Sequence, residues 1–141
     1  MWQEQGFHEQ AASGTKSAVL QLKEMMELVA SRYPQYSAEE LLGSPAPGKW
    51  SKQQVLGHLI DSAINNLKRF TEIQFSEQPY LVLAYAQDEL MAVNHYQDLP
   101  LYHLIQLYLS LNQQIIYVIK QVPADKLYYH VIPQYSQTGT K

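Results

Sequence analysis

One histidine, His58, lies in the segment of this sequence that is richest in possible chemistry, GKWSKQQVLGHLIDSAINNLKRF at residues 48–70. Imidazole binds transition metals and exchanges protons near neutral pH. His58 is therefore either one ligand of a metal site or an ordinary residue of a helix surface. Ser62 and Arg69 follow on the same row of the predicted helix, and Asp61 lies nearby. This polar strip borders the apolar face, where the interior of a bundle meets water.

The spacing of the remaining histidines does not complete a metal site. Zinc or nickel sites need three or more protein ligands, commonly with a histidine pair at i, i+4 on one helix, and the sequence contains no such pair. His103 shares a polar row of the third long helix and is expected to face solvent. His8, His95 and His130 have no predicted position beside His58. From spacing alone, His58 is interpreted as a partly exposed residue without a ligand role.

Other catalytic arrangements fail on geometry. His58, Asp61 and Ser62 include the residue types of a catalytic triad, but neighbours on a regular helix do not form a strained nucleophile elbow with an oxyanion hole. Arg69 is interpreted as covering apolar surface with its stem, not as an anion site. The sequence has no glycine-rich phosphate loop and no cysteine. Disulfides, thiolate ligands and thiol nucleophiles are therefore excluded.

Composition limits the class of protein further. The chain has 141 residues and is predicted to form one domain, 1–141. Its net charge is −3 with ten scattered Lys and Arg, so we predict no nucleic-acid partner. No apolar run approaches the roughly 18 to 20 residues that span a bilayer, and the first residues lack the features of a signal peptide. We therefore predict no membrane partner and a cytoplasmic location.

Apolar residues at three- and four-residue spacing predict three long amphipathic helices. The first is expected at residues 15–33, after a frayed arm at 1–13. The second begins at a capping box formed by Ser51 and Gln54 and runs to about residue 75. The third ends before Pro123. The core positions predicted for the second helix are Val55, Leu56, Leu59, Ala63, Leu67 and Phe70.

Shorter elements are predicted between these helices. SAEE at residues 37–40 has the form of a second capping box, and residues 80–86 read as a short strand or extended segment. A short helix is predicted near residues 87–94, and Asp98 is a cap candidate for the third long helix. Three long helices that each carry an apolar stripe on one face imply an all-α helical bundle. Their apolar stripes are wide, which suggests that a fourth helix or another partner covers them. No further long amphipathic helix is predicted before Lys141.

At PAPGKWSKQQVLGHLIDSAINNLKRF, residues 45–70, the sequence resembles the DinB-like superfamily, which includes the YfiT-type proteins. The matching pattern is a Pro/Gly loop, Trp50, a serine helix cap and a glycine–histidine–leucine followed by Asp-Ser. The resemblance covers about residues 17–132. The later segments that also look like this family are YAQDE, YQDL and LN, at residues 85–89, 96–99 and 111–112.

The resemblance implies an up-down four-helix bundle, often a homodimer, with a three-histidine site for a divalent metal such as nickel or zinc. The first family histidine lies near the start of the second helix and matches His58. The other two form an HxxxH-type pair on the fourth helix, and this sequence departs from the pattern there, because it reaches Lys141 where that helix should begin. We therefore expect a domain that lacks its fourth helix and is incomplete at the C-terminus.

The function implied by the resemblance is that of a divalent-metal-dependent enzyme, of hydrolase or thiol-transferase type, acting on an unidentified small molecule. A metal with open positions would lower the pKa of bound water or thiol. No catalytic residue is assigned, and the missing histidine pair predicts that this form binds metal weakly or not at all. In a dimer, a second copy of the chain could bring His103 or His130 to His58.

Two alternatives stay open. The first is a metal-free helical module that acts through dimerisation or protein interaction, because three wide stripes without a fourth helix would expose apolar surface. The second is a small-molecule pocket lined by tyrosines and Trp50, with His58 as a hydrogen-bonding group only.

Overall fold

A computed structural model describes residues 2–76, 80–123, 126 and 131–134, with side chains described at 14–76, 84–123 and 126. Within this part, the chain is predominantly helical, as its periodicity predicts. No helix in it is long and apolar enough to cross a membrane. The elements are α1 (Trp2–Arg32), α2 (Ala38–Leu42), α3 (Lys52–Glu72), β1 (Tyr80–Leu83), α4 (Gln87–Asn94), α5 (Leu101–Gln121) and β2 (Val131–Gln134), with 3-10 turns at Tyr33–Gln35 and Tyr96–Asp98.

The core lies where α5 packs against α3 on one side and against α1 on the other. Leu56 of α3 and Leu104 of α5 have no exposed surface. Burial of each such aliphatic side chain stabilises the fold by about 1.5–3 kcal/mol. This apolar contact holds α3, and with it His58, at a fixed orientation. The core cluster consists of Val29, Leu56, Ile60, Met91, Tyr96, Leu104, Ile105 and Tyr108.

The helix α1 begins earlier than the sequence predicts. A frayed arm was expected at residues 1–13, but the helix extends from Trp2, so this prediction is wrong. It relied on an apolar stripe alone, whereas residues 2–13 contain no proline and are rich in Gln, Glu and Ala, which have high helix propensity. The apolar stripe itself is confirmed, because Val19 and Val29 are buried.

The two predicted capping boxes are both present. In the first, Ser37 Oγ accepts the Glu40 N–H at 3.1 Å, and the Glu40 carboxylate accepts the Ser37 N–H at 3.4 Å. In the second, Ser51 Oγ accepts the Gln54 N–H at 3.1 Å, and Gln54 Oε1 accepts the Ser51 N–H at 2.9 Å. These bonds satisfy amide groups that a helix start otherwise leaves without partners. They fix where α2 and α3 begin.

The two boxes differ in burial, which allows a matched test. Ser51 is fully buried and its hydroxyl also donates to Gln97 Oε1 at 2.7 Å, whereas Ser37 is exposed. We expect Ser51→Ala to lower the free energy of unfolding by about 1–2 kcal/mol, and Ser37→Ala by about 0.5 kcal/mol. Urea denaturation measures both values. Equal losses would show that the bond to Gln97 contributes nothing.

The connections between α3 and α5 agree with the sequence in part. The segment predicted as strand or extended contains β1, whose Tyr80 pairs in parallel register with Val131 of β2. The short helix at residues 87–94 is confirmed. The Asp98 cap is wrong, because Asp98 lies within a 3-10 turn and α5 follows Pro100 without a side-chain cap. Pro100 itself is the N-cap residue, with an extended backbone at φ −61° and ψ 132°, and its ring fixes φ in that range.

Candidate functional site

His58 lies on α3 with its ring partly buried, at the border of the apolar face where the sequence places it. Its ring centroid is 5.0 Å from that of Trp50, and the two ring planes are inclined by 39°. Trp50 itself packs against the core cluster. Because Trp50 immediately precedes the buried cap residue Ser51, its position is tied to the start of α3. The imidazole of His58 is thus held against a fixed aromatic surface.

The other histidines do not join His58 in the described part of the chain. His103 is exposed on α5, as predicted, and His95 is exposed after α4 with a left-handed φ of 51°. The side chain of His8 and the whole of His130 lie outside the described residues. Among residues 14–76 and 84–123, no three His, Asp or Glu side chains form a group that could hold a metal. The described residues therefore supply fewer donors than a three-histidine site requires.

The buried face of α3 is rotated from the face that apolar spacing predicts. Val55 was expected in the core but is 39% exposed, whereas Gly57, Ile60 and Asp61 are buried. The prediction placed Asp61 on a strip that meets water, and this is wrong. The reason is that Tyr96 packs closely on Gly57 and provides a polar partner for Asp61. Apolar periodicity does not reveal a polar side chain that is buried with its partner.

Polar contacts bind the 3-10 turn before α5 to the first turn of α3. Gln53 Nε2 donates to the carbonyl oxygens of Tyr96 at 2.7 Å and Leu99 at 3.0 Å. Gln53 is itself buried. These bonds satisfy buried polar groups that would otherwise cost free energy. They also set the position of the Tyr96 ring relative to α3.

Asp61 is the centre of a buried polar cluster. Only 3% of its surface is exposed. The Tyr96 hydroxyl donates to Asp61 Oδ1 at 2.5 Å, and Asn94 Nδ2 donates to the same oxygen and to the Tyr96 hydroxyl, each at 3.3 Å. Burial, and then the hydrogen bond to Asp61, raises the pKa of Tyr96 far above its ordinary value, so Tyr96 stays a donor.

The second carboxylate oxygen, Asp61 Oδ2, is buried and has no hydrogen-bond partner among the described residues. Asp61 lines a groove of about 530 Å³ between α3 and α4. Tyr85 also lines the groove, and the guanidinium of Arg69 lies 5.8 Å from its ring centroid. The described residues that line the groove are Asp61, Ile64, Asn65, Tyr85, Ala86, Glu89, Leu90, Val93 and Asn94.

Sequence reasoning did not find this groove. Asp88 and Glu89 were interpreted only as the start of a short helix, and they do lie in the first turn of α4. A sequence signal for the contact that buries Asp61 is Gly57, a glycine inside a strongly amphipathic helix, which often marks close approach of another segment. It does not identify Tyr96 as that segment.

Comparison with known proteins gives no match to any family model, curated protein or solved structure. The resemblance to DinB-like proteins therefore depends on the motif around Trp50 and His58.

Proposed function

We propose that this chain is a cytoplasmic DinB-like bundle protein in which His58 is a ligand for zinc or nickel that this form binds weakly, and that its activity is that of a metal-dependent enzyme of hydrolase or thiol-transferase type, impaired in this form. The observation that carries the proposal is the contact between the His58 and Trp50 rings. A ring that is already ordered loses less conformational freedom when it binds a ligand. An ordered imidazole at the edge of the core is what a metal ligand requires.

His58 needs further ligands. Asp61 follows three positions later on α3 and is thus a neighbour on the helix surface, but its Oδ1 is occupied by the Tyr96 hydroxyl. The remaining donors would come from His130, or from the exposed His103 of a second copy of the chain. A metal with open positions would lower the pKa of a bound water or thiol. Trp50 would keep the His58 ring in one orientation.

We further propose that the protein is a homodimer. Large apolar side chains are exposed on all three long helices, among them Leu28 on α1 and Tyr102 beside His103 on α5. Removing such surface from water is favourable by about 25 cal/mol per Å². Association of these faces also supports the alternative function, a metal-free helical module. Among the side chains that the structure describes, the large apolar ones exposed on the long helices are Leu20, Met25, Leu28, Val55, Ile64, Tyr102 and Tyr117.

Metal content tests the proposal. We expect tag-free protein to bind zinc or nickel weakly in equilibrium dialysis followed by elemental analysis, whereas stoichiometric metal that survives desalting would show a complete site. His58→Ala should weaken binding at least about a hundredfold, since even residues that only support a ligand cost 10- to 100-fold. His95→Asn is the matched control, because asparagine tolerates the left-handed backbone there. Retention of the same metal by His58→Ala would contradict the proposal.

Sedimentation of the same samples distinguishes the two functions. If the protein is a dimer, and if His58→Ala and His103→Ala each weaken its metal binding, the metal site is shared between two copies of the chain. A dimer without bound metal would favour the association module. A monomer without metal at high concentration would contradict both.

A further inference from the structure

We infer that the groove between α3 and α4 is a binding site for a small molecule that carries a protonated amine on an apolar body, with Asp61 as the counter-charge. This site uses residues other than His58 and does not depend on the proposed metal function. The two sites can therefore fail or succeed separately.

The unpartnered oxygen of Asp61 is the first observation. Tyr96 and Asn94 both donate to Oδ1, whereas Oδ2 is buried without a partner in the described part of the chain. A buried carboxylate oxygen without a donor is costly. Buried polar groups of this kind are rare in native proteins and often mark a functional site or a bound molecule. Asp61 lines the groove, so a ligand that brings its own N–H donor and reaches Oδ2 would satisfy this oxygen.

Charge decides which donor fits best. The described residues that line the groove include the carboxylates of Asp61 and Glu89 and no basic side chain. The guanidinium of Arg69 lies outside this lining, 5.8 Å from the ring centroid of Tyr85. An anionic ligand would be repelled, and a neutral hydroxyl would supply a donor without compensating the charge. An ammonium group supplies both the donor and the opposite charge, and the attraction between opposite charges is stronger where water is excluded than in bulk water. The favoured ligand head group is therefore a protonated amine.

The walls of the groove define the rest of the ligand. Ile64, Leu90 and Val93 contribute apolar side chains to the lining of the groove, and Tyr85 is also part of that lining. Small-molecule sites are typically apolar clefts of roughly 300–1,000 Å³ with a few placed polar groups. A groove of about 530 Å³ matches an amine with an aromatic or short alkyl body. Val93 is 66% exposed, so the groove is open to solvent along this wall.

A titration followed by amide NMR tests the site with two probes of the same shape, benzylammonium chloride and benzyl alcohol, at constant ionic strength. We expect saturable shifts confined to residues 61–65 and 85–94, with benzylammonium bound at least about tenfold more tightly than the alcohol. Asp61→Asn should reduce benzylammonium affinity about tenfold and leave that of the alcohol nearly unchanged. His58→Ala should leave both affinities unchanged.

A second pair of variants compares one substitution that blocks the groove with a matched control outside it, and neither replaces a residue of the buried Asp61 cluster. Val93→Arg adds bulk and positive charge at the exposed wall and should abolish benzylammonium binding. Val55→Arg makes the same change at an exposed valine of α3 that does not line the groove, and should have no effect. Equal affinities for the two probes, shifts elsewhere, or binding that survives Val93→Arg would overturn the inference. The location of the NMR shifts and the effect of Val93→Arg test the inference even if Asp61→Asn does not fold.

Discussion

Gly57→Ala is expected to lower the free energy of unfolding by about 3 kcal/mol, although alanine is the better helix former by about 1 kcal/mol. Gly57 is buried on α3, directly below the Tyr96 side chain. A Cβ atom at this position would lie 2.9 Å from Tyr96 Cβ and closer still to the Tyr96 ring. Tyr96 has little room to move, because its hydroxyl is bound to Asp61 and its carbonyl to Gln53.

Gly14 provides the control for this substitution. It lies within α1, and a Cβ atom there would meet nothing within 4 Å. Gly14→Ala should therefore show the propensity effect alone and stabilise the protein by about 0.5–1 kcal/mol. Urea denaturation compares the two variants under one condition. Stabilisation by Gly57→Ala would mean that Tyr96 does not pack on α3 as closely as described.

Tyr96→Phe is expected to lower the free energy of unfolding by about 2 kcal/mol while conserving the packed ring. Loss of the hydroxyl leaves Asp61 Oδ1 with only the 3.3 Å bond from Asn94, and Oδ2 already has no described partner. Removing a donor from a buried acceptor costs about 1–3 kcal/mol, and more when the acceptor is charged. The carboxylate of Asp61 would be buried with little compensation.

Tyr102→Phe is the control, because Tyr102 is 76% exposed and its substitution should change stability by less than about 0.5 kcal/mol. A double-mutant cycle of Tyr96→Phe with Asp61→Asn should give a coupling free energy of more than about 1 kcal/mol. If Tyr96→Phe were as mild as Tyr102→Phe, the Asp61 cluster would not be a stabilising feature of the fold.

Capping boxes correctly predict the starts of α2 and α3 in this chain, whereas the Asp98 cap predicted for α5 is wrong. The boxes at Ser37 and Ser51 depend on residues three positions apart, so a sequence displays them directly, and both are present. The prediction of a frayed arm at residues 1–13 is wrong because it depended on the absence of an apolar stripe. High helix propensity extends α1 through these residues although they carry no apolar stripe.

Contacts between distant segments limit prediction of the site. Asp61 and Tyr96 are 35 positions apart, and nothing in the spacing around Asp61 shows that Tyr96 will bury it. The same contact rotates α3, so Val55 lies outside and Gly57 inside. His58, in contrast, was identified from the motif that surrounds it, and its exposure at the edge of the core is confirmed. Its role as a metal ligand stays a prediction.

The most direct test of that role is the imidazole of His58 itself. We would record two-bond ¹H–¹⁵N correlations of the histidine rings while zinc is added to the native protein. We expect the His58 ring nitrogens to shift and saturate at no more than one zinc per chain, with His95 unchanged. Zinc binding that leaves the His58 nitrogens unaltered would contradict the proposal that His58 is a metal ligand.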